Sequence, residues 1–210
     1  MNEENKVLTV KQIGKAAYAG PAVCLIFTSL CLIFWADMIG IVPEGGTIMC
    51  GVYQLAVFVP YLVCAIELMK DADNGGFEGN IFLIFACLFG AVGGMHNIAS
   101  VVFPFIGIPY DTSAVGYVWL LAGLLMFGVL PGCLRKICWL DTVMYAIVAV
   151  ALCGEGFCTL GWLSPKWWVP FGWLYFIVAL MGFYFAIGGL NGFLGVNFPF
   201  GGPILKEKEN

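Results

Sequence analysis

Charge is what this chain has least of: 10% of its 210 residues are charged, while 61% are hydrophobic. A soluble domain carries about 25% charged residues, so a chain this poor in charge has no surface to offer water. Histidine is scarcer still. His96 is the sole one, which excludes a two-histidine haem ligation or a histidine copper site within one chain. No lysine falls in the middle of an apolar stretch, so a retinal-type Schiff base is excluded as well. The P-loop, the HExxH zinc motif and paired carboxylates at membrane depth are all missing. No cofactor, metal or nucleic-acid partner is expected, and the chain does not read as an enzyme.

Cysteine is plentiful but lacks a pattern. None of the nine forms CxxC, and the nearest pairs are Cys133/Cys138 and Cys153/Cys158. Cys24, Cys31, Cys50, Cys64 and Cys87 sit inside apolar runs and read as small, soft packing residues. The opening "MNEENKVLTVKQIGK" is acidic, then basic, and runs 15 residues before anything apolar. A signal peptide has a short basic start followed at once by an apolar core. The N-terminus is therefore expected to stay and to be cytoplasmic.

What is present is long apolar runs, and about 20 such residues cross about 30 Å of hydrocarbon. Six fit, so the expected fold is all-α, a polytopic bundle of six transmembrane helices around one pore per protomer. The spans run from about Ala16 to Ala36, Thr47 to Met69, and Asn80 to between Ala99 and Phe103. Three more run over Thr112–Leu134, Ile137–Leu160 and Trp167–Leu190. Residues 1–15 read as a cytoplasmic segment, 16–203 as the membrane domain and 204–210 as a cytoplasmic tail. An even number of spans puts both termini on one side. Lys6, Lys11, Lys15, Lys70, Arg135, Lys136, Lys206 and Lys208 then share that side, and Lys166 alone lies opposite. The positive-inside rule makes that side cytoplasmic, in a plasma membrane. Asp37, Glu44, Asp111 and Glu155 fall to the outer loops or rim, and Trp35, Trp162, Trp167 and Trp168 form an outer aromatic belt.

Six short-looped helices with few intramembrane charges favour a conduit for a small solute. Small residues recur at helical spacing on spans one, three and six, among them Thr28, Asn97, Asn191 and Tyr184. Such faces serve close helix packing or line a narrow path, and "GAVGG" (90–94), "GVLPG" (128–132) and "GGLNG" (188–192) are GxxxG patterns. Asn97 and Asn191 favour a path, because an amide at depth needs a partner, water or solute. Glu67 stands three residues before Lys70, where an interfacial salt bridge competes with a solute or proton role. Asp141 reads as an inner-interface charge beside Arg135 and Lys136.

The sixth span, "GWLYFIVALMGFYFAIGGLNGFLGVNFPFG", carries Gly172-Trp173, Tyr184, Asn191, Gly195 and Pro199-Phe200-Gly201. Span two ends in Glu67 and passes by a short polar loop to Phe77, and span four has Trp119, Met126, Phe127 and Gly128. In these stretches the chain resembles the acetate uptake transporter family, the YaaH or succinate–acetate permease type, over about residues 18 to 202. The family's opening N-P-A-P-L-G-L signature stands here as "YAGPAVCLIF", which keeps Pro21 and Phe27 and has Tyr18 at the asparagine position. The Y-G-G and glutamine pattern of its second helix is replaced by "LAVFVP". The resemblance implies transport of a small monocarboxylate such as acetate, with succinate second, by a homo-oligomer, a ring of six. It also implies a hydrophobic constriction, whose matching positions are Phe27, Phe85 (in place of a tyrosine) and Met144. Proton linkage is left open, with Glu67 as the candidate. The alternatives are a channel for ammonia, urea or short amides, and a membrane scaffold or sensor.

Overall fold

In hydrocarbon every backbone N–H and C=O has to be bonded within the protein, so long uncharged runs become helices. A computed structural model describes the backbone of residues 3–43, 45–70 and 75–205, and side chains over 19–43, 45–70 and 76–205. Helix α1 (Glu3–Met38) is followed by α2 (Gly46–Leu68) and α3 (Gly75–Phe85). A π-helical stretch (Ala86–Val92) joins α3 to α4 (Gly93–Phe105). Then come α5 (Ser113–Lys136), α6 (Trp139–Thr159), a 3-10 turn (Pro165–Trp167) and α7 (Trp168–Phe193).

Six stretches are long and apolar enough to cross a membrane: Ala19–Met38, Gly46–Leu68, Gly76–Phe105, Ser113–Lys136, Trp139–Thr159 and Pro165–Phe193. The 23 residues of α2 alone reach about 34 Å at 1.5 Å per residue. The chain is an all-α, multi-pass membrane protein, with no strand among the described residues.

Alternation of the spans leaves Lys70, Arg135 and Lys136 at one end of the bundle, the basic face. Asp37, Asp111 and Lys166 lie at the other end, the far face. Lys6, Lys11, Lys15, Lys206, Lys208 and Glu44, also expected at the two faces, lie outside the described side chains. On the far face the Ser113 N–H, 2.9 Å from Asp111, holds that exposed carboxyl below its ordinary range. His96 shares a 2.8 Å hydrogen bond with the Tyr110 hydroxyl there.

Helix α1 packs along α7, α5 along α6, and α2 along α4 and the π-helical stretch. Small residues make the closest of these approaches possible. A Cβ on Gly51 would lie 2.7 Å from the Gly94 carbonyl oxygen, and one on Gly94 would lie 2.9 Å from the Gly51 oxygen. The two backbones therefore touch. Helix α7 ends by a specific device. Gly195 takes φ 78°, and the Val196 N–H donates to the Asn191 carbonyl at 3.1 Å. A left-handed residue closing a helix in this way favours glycine. Gly195 stops the helix, ahead of Pro199.

Beyond it the chain turns back across the basic face. The Trp139 N–H donates to Gly202 O at 3.0 Å and the Leu205 N–H to Leu134 O at 2.8 Å. Phe200 lies on Phe185, ring centroids 5.3 Å apart, and against Gly188, where a side chain would displace it.

Candidate functional site

A cavity of about 850 Å³ enters the bundle from the basic face. Its walls come from α1, α3, α6, α7, the end of α5 with its link to α6, and the segment after α7. Lys136, Glu78 and Phe193 mark its mouth, while Phe27, Phe82, Met144 and Gly182 mark its closed end. Gly182 and Phe193 stand eleven positions apart on α7, a depth of about 16 Å at 1.5 Å per residue. Gly20 and Gly192 leave open space where a side chain would project, whereas Gly182 and Gly189 let α7 approach α1, since a Cβ there would meet Thr28 or Pro21.

Aromatic rings close the cavity. Phe27 stacks on Phe85 with centroids 5.1 Å apart and planes 7° from parallel. Phe82 meets Phe27 edge-on at 6.0 Å. Phe89 follows, 5.4 Å from Phe85 and 6.0 Å from Phe27, and it in turn touches Phe34, Trp119 and Tyr175. Offset and edge-to-face contacts at these distances are the favourable arrangements for aromatic quadrupoles, so the column is well packed as well as apolar. Beside it the Tyr61 hydroxyl is buried without a hydrogen-bond partner among the described residues, its ring 6.2 Å from that of Phe82. Cys24 and Cys31 of α1 lie within electrostatic reach of that hydroxyl.

The structure thus brings Phe27 and Phe85 together, with Phe27 and Met144 on the cavity's closed end and Phe85 one layer deeper. The polar residues expected along a path are placed differently. Thr28 is buried and donates to the Ala179 carbonyl at 3.3 Å, tying α1 to α7. Asn191 donates to Ile187 O of its own helix at 2.9 Å, and its neighbours Gly189 and Gly192 line the cavity instead. The Tyr184 hydroxyl donates to Pro199 O at 3.4 Å, and its ring packs on Phe198 and Phe200, so it holds the returning segment. Glu67 is half exposed and pairs with Lys70 at 2.5 Å, outside the cavity. Asp141 lines the cavity, at the start of α6 beside Cys138.

Asn97 belongs to a buried polar cluster centred on a residue that sequence reasoning passed over. Its amide donates to Gln54 Oε1 at 2.8 Å, and Gln54 Nε2 donates to Phe89 O at 3.0 Å. The π-helical stretch explains the last bond. The Gly93 N–H reaches the Leu88 and Gly90 carbonyls and passes over that of Phe89, which Gln54 takes. A π-helical turn inside a helix is rare and is frequent at functional sites. An uncharged glutamine in mid-span was the signal that could have found it.

Glu155 requires a correction. It does not sit on the far-face rim; α6 carries it inward, 5% exposed, where the Tyr175 O–H donates to Oε2 at 2.5 Å. The reason is local. Gly154 lies under the Phe171 ring, and a Cβ on Gly156 would lie 2.7 Å from the Leu120 N. With no side chains beside it, the helix presses against its neighbours and walls the carboxyl in. The nine cysteines are free, and among the described residues no group of three or more His, Cys, Asp or Glu could hold a metal. No known protein family matches the chain, and neither does any curated protein.

Proposed function

We propose that the protein moves a small monocarboxylate such as acetate across the plasma membrane, with the basic face and both termini cytoplasmic. It is a remote relative of the acetate uptake transporters, and it carries its solute without transforming it. The observation that carries this reading is the 850 Å³ cavity ending at the stacked Phe27 and Phe85. An apolar plug of this kind excludes hydrated ions by dewetting. Stripping water from a carboxylate is costly unless donors replace it, so the plug alone admits the neutral acid best.

Lys136 shares the mouth with Glu78, and Asp141 lines the wall behind them, so the entrance carries charge of both signs. The Tyr61 hydroxyl beside the plug supplies a donor to a carboxylate that has lost its water. Fixed positive charge at that depth would hold the anion too tightly for release. Six-fold assembly follows from the same resemblance. It is favoured by Gly128 and Gly132 of α5, where an added Cβ would meet no other part of the chain within 4 Å among the described residues.

Labelled acetate uptake into proteoliposomes, competed by formate, succinate and urea, tests the function. Formate competes and urea does not if the reading holds. Competition by urea points to a neutral-solute channel, and no uptake of any solute points to a scaffold. Replacing Phe27 or Phe85 by alanine raises acetate flux and admits succinate. Unchanged flux and selectivity in both folded variants would place the gate elsewhere.

A further inference from the structure

Among the described residues Glu155 is the carboxyl most enclosed by the bundle, and neither the cavity nor the plug uses it. Ionisable residues inside membrane spans are costly and mark ion or proton pathways by default. Its surroundings come from four elements. From α7 the Tyr175 hydroxyl bonds it. Cys31 and Asp37 of α1 and Cys158 of its own helix are within electrostatic reach, and Cys153 faces Tyr175. Helix α5 approaches through the backbone of Gly116 and Leu120. No cation pairs with Glu155 among the described residues.

The ligand this site fits is a proton. A hard metal cation takes about six oxygens, whereas here one carboxyl and one phenol converge. A tyrosine hydroxyl both donates and accepts, so the Glu155–Tyr175 bond survives in either protonation state. Ionised, Glu155 accepts from Tyr175; protonated, it donates to it. Tyr175 also packs on Phe34 and Phe89, centroids 5.5 and 5.9 Å away, and Phe89 packs on Phe27. The carboxyl therefore sits at one end of the aromatic column whose other end closes the cavity.

We propose that Glu155 is the proton-binding site that couples carboxylate movement to a pH gradient. The inference rests on the transport reading above. Glu155 takes one proton from a far-face hydronium ion, forming an O–H bond and leaving water. When the Phe27–Phe85 stack opens, that O–H bond breaks and the proton passes to cavity water as the carboxylate leaves. One proton and one monoanion cross together, and no net charge moves.

Full-length protein in proteoliposomes tests this with two measurements. Acetate counterflow at equal pH needs no net proton movement, whereas acetate accumulation under an outside-acid gradient, counted above that of protein-free liposomes at a pH where the free acid is scarce, does. The E155Q variant keeps counterflow and loses gradient-driven accumulation. If E155Q still accumulates acetate against the gradient, the proposal is overturned while the transport reading stands. If wild-type protein shows no counterflow, transport of acetate falls first, and coupling falls with it. Should E155Q fail to fold, Y175F replaces it. Removing the hydroxyl shifts the pH midpoint of gradient-driven uptake, and an unshifted midpoint overturns the proposal.

Discussion

A hydroxyl buried without a partner forfeits its hydrogen bonds to water, and Tyr61 holds one beside Phe82. Deleting such a group is neutral or stabilising, because the folded protein loses no bond. Y61F is therefore expected to keep or raise the thermal midpoint in detergent. Because the hydroxyl is proposed to serve the passing carboxylate, Y61F also raises the KM for acetate. A hydrogen bond to a charged group contributes about 1.5–3 kcal/mol, so the rise is about tenfold or more. An unchanged KM would show that the hydroxyl touches no substrate. Gln54 makes the opposite case. Its amide is used at both ends, toward Asn97 and toward the Phe89 carbonyl, so its removal strands two buried groups.

At the scale of elements, glycine patterns that look alike in the sequence have different roles. Gly90 and Gly94 sit in tight helix contacts, Gly90 against Phe58 and Gly94 against the Gly51 backbone. Around Gly128 and Gly132 an added Cβ would meet no other part of the chain within 4 Å among the described residues. G94A forces α2 and α4 apart at a cost of about 1–3 kcal/mol, seen as a fall in Tm of about 2–12 °C. G128A leaves Tm unchanged within the same assay. Equal effects of the two would contradict the close approach of α2 and α4. The segment after α7 is a second case. Its apolar composition and prolines resemble a frayed end, yet Phe200 seats on Phe185 and two backbone hydrogen bonds tie it to α5 and α6.

For the whole molecule, Lys70, Arg135 and Lys136 gather on one face of the six-span bundle, which supports the proposed cytoplasmic side. A reporter fused at the C-terminus is expected to read as cytoplasmic; an extracytoplasmic reading overturns the orientation. Light scattering in mild detergent is expected to give a mass near six protomers. Bulky residues at Gly128 and Gly132 then lower that mass without unfolding the protomer, since they meet no internal neighbour among the described residues. A monomer in wild-type protein at high concentration removes the ring.

The six spans were legible in the sequence because burial in lipid is decided by composition over about 20 residues, and no long-range contact is needed to see it. Phe27 and Phe85 were placed in one constriction by the family resemblance, and they stack in the structure. Phe82, three residues before Phe85 on the same helical face, was within reach of the same reasoning. Other features needed the assembled bundle. A glutamate four residues from a helix end reads as interfacial by position alone, and only packing of α5 and α7 against Gly154 and Gly156 buries Glu155. The asparagines at 97 and 191 look equivalent as isolated amides. Tertiary structure gave one a buried glutamine on a neighbouring helix and left the other bonded to its own turn, because hydrogen-bond partners depend on which helix stands alongside.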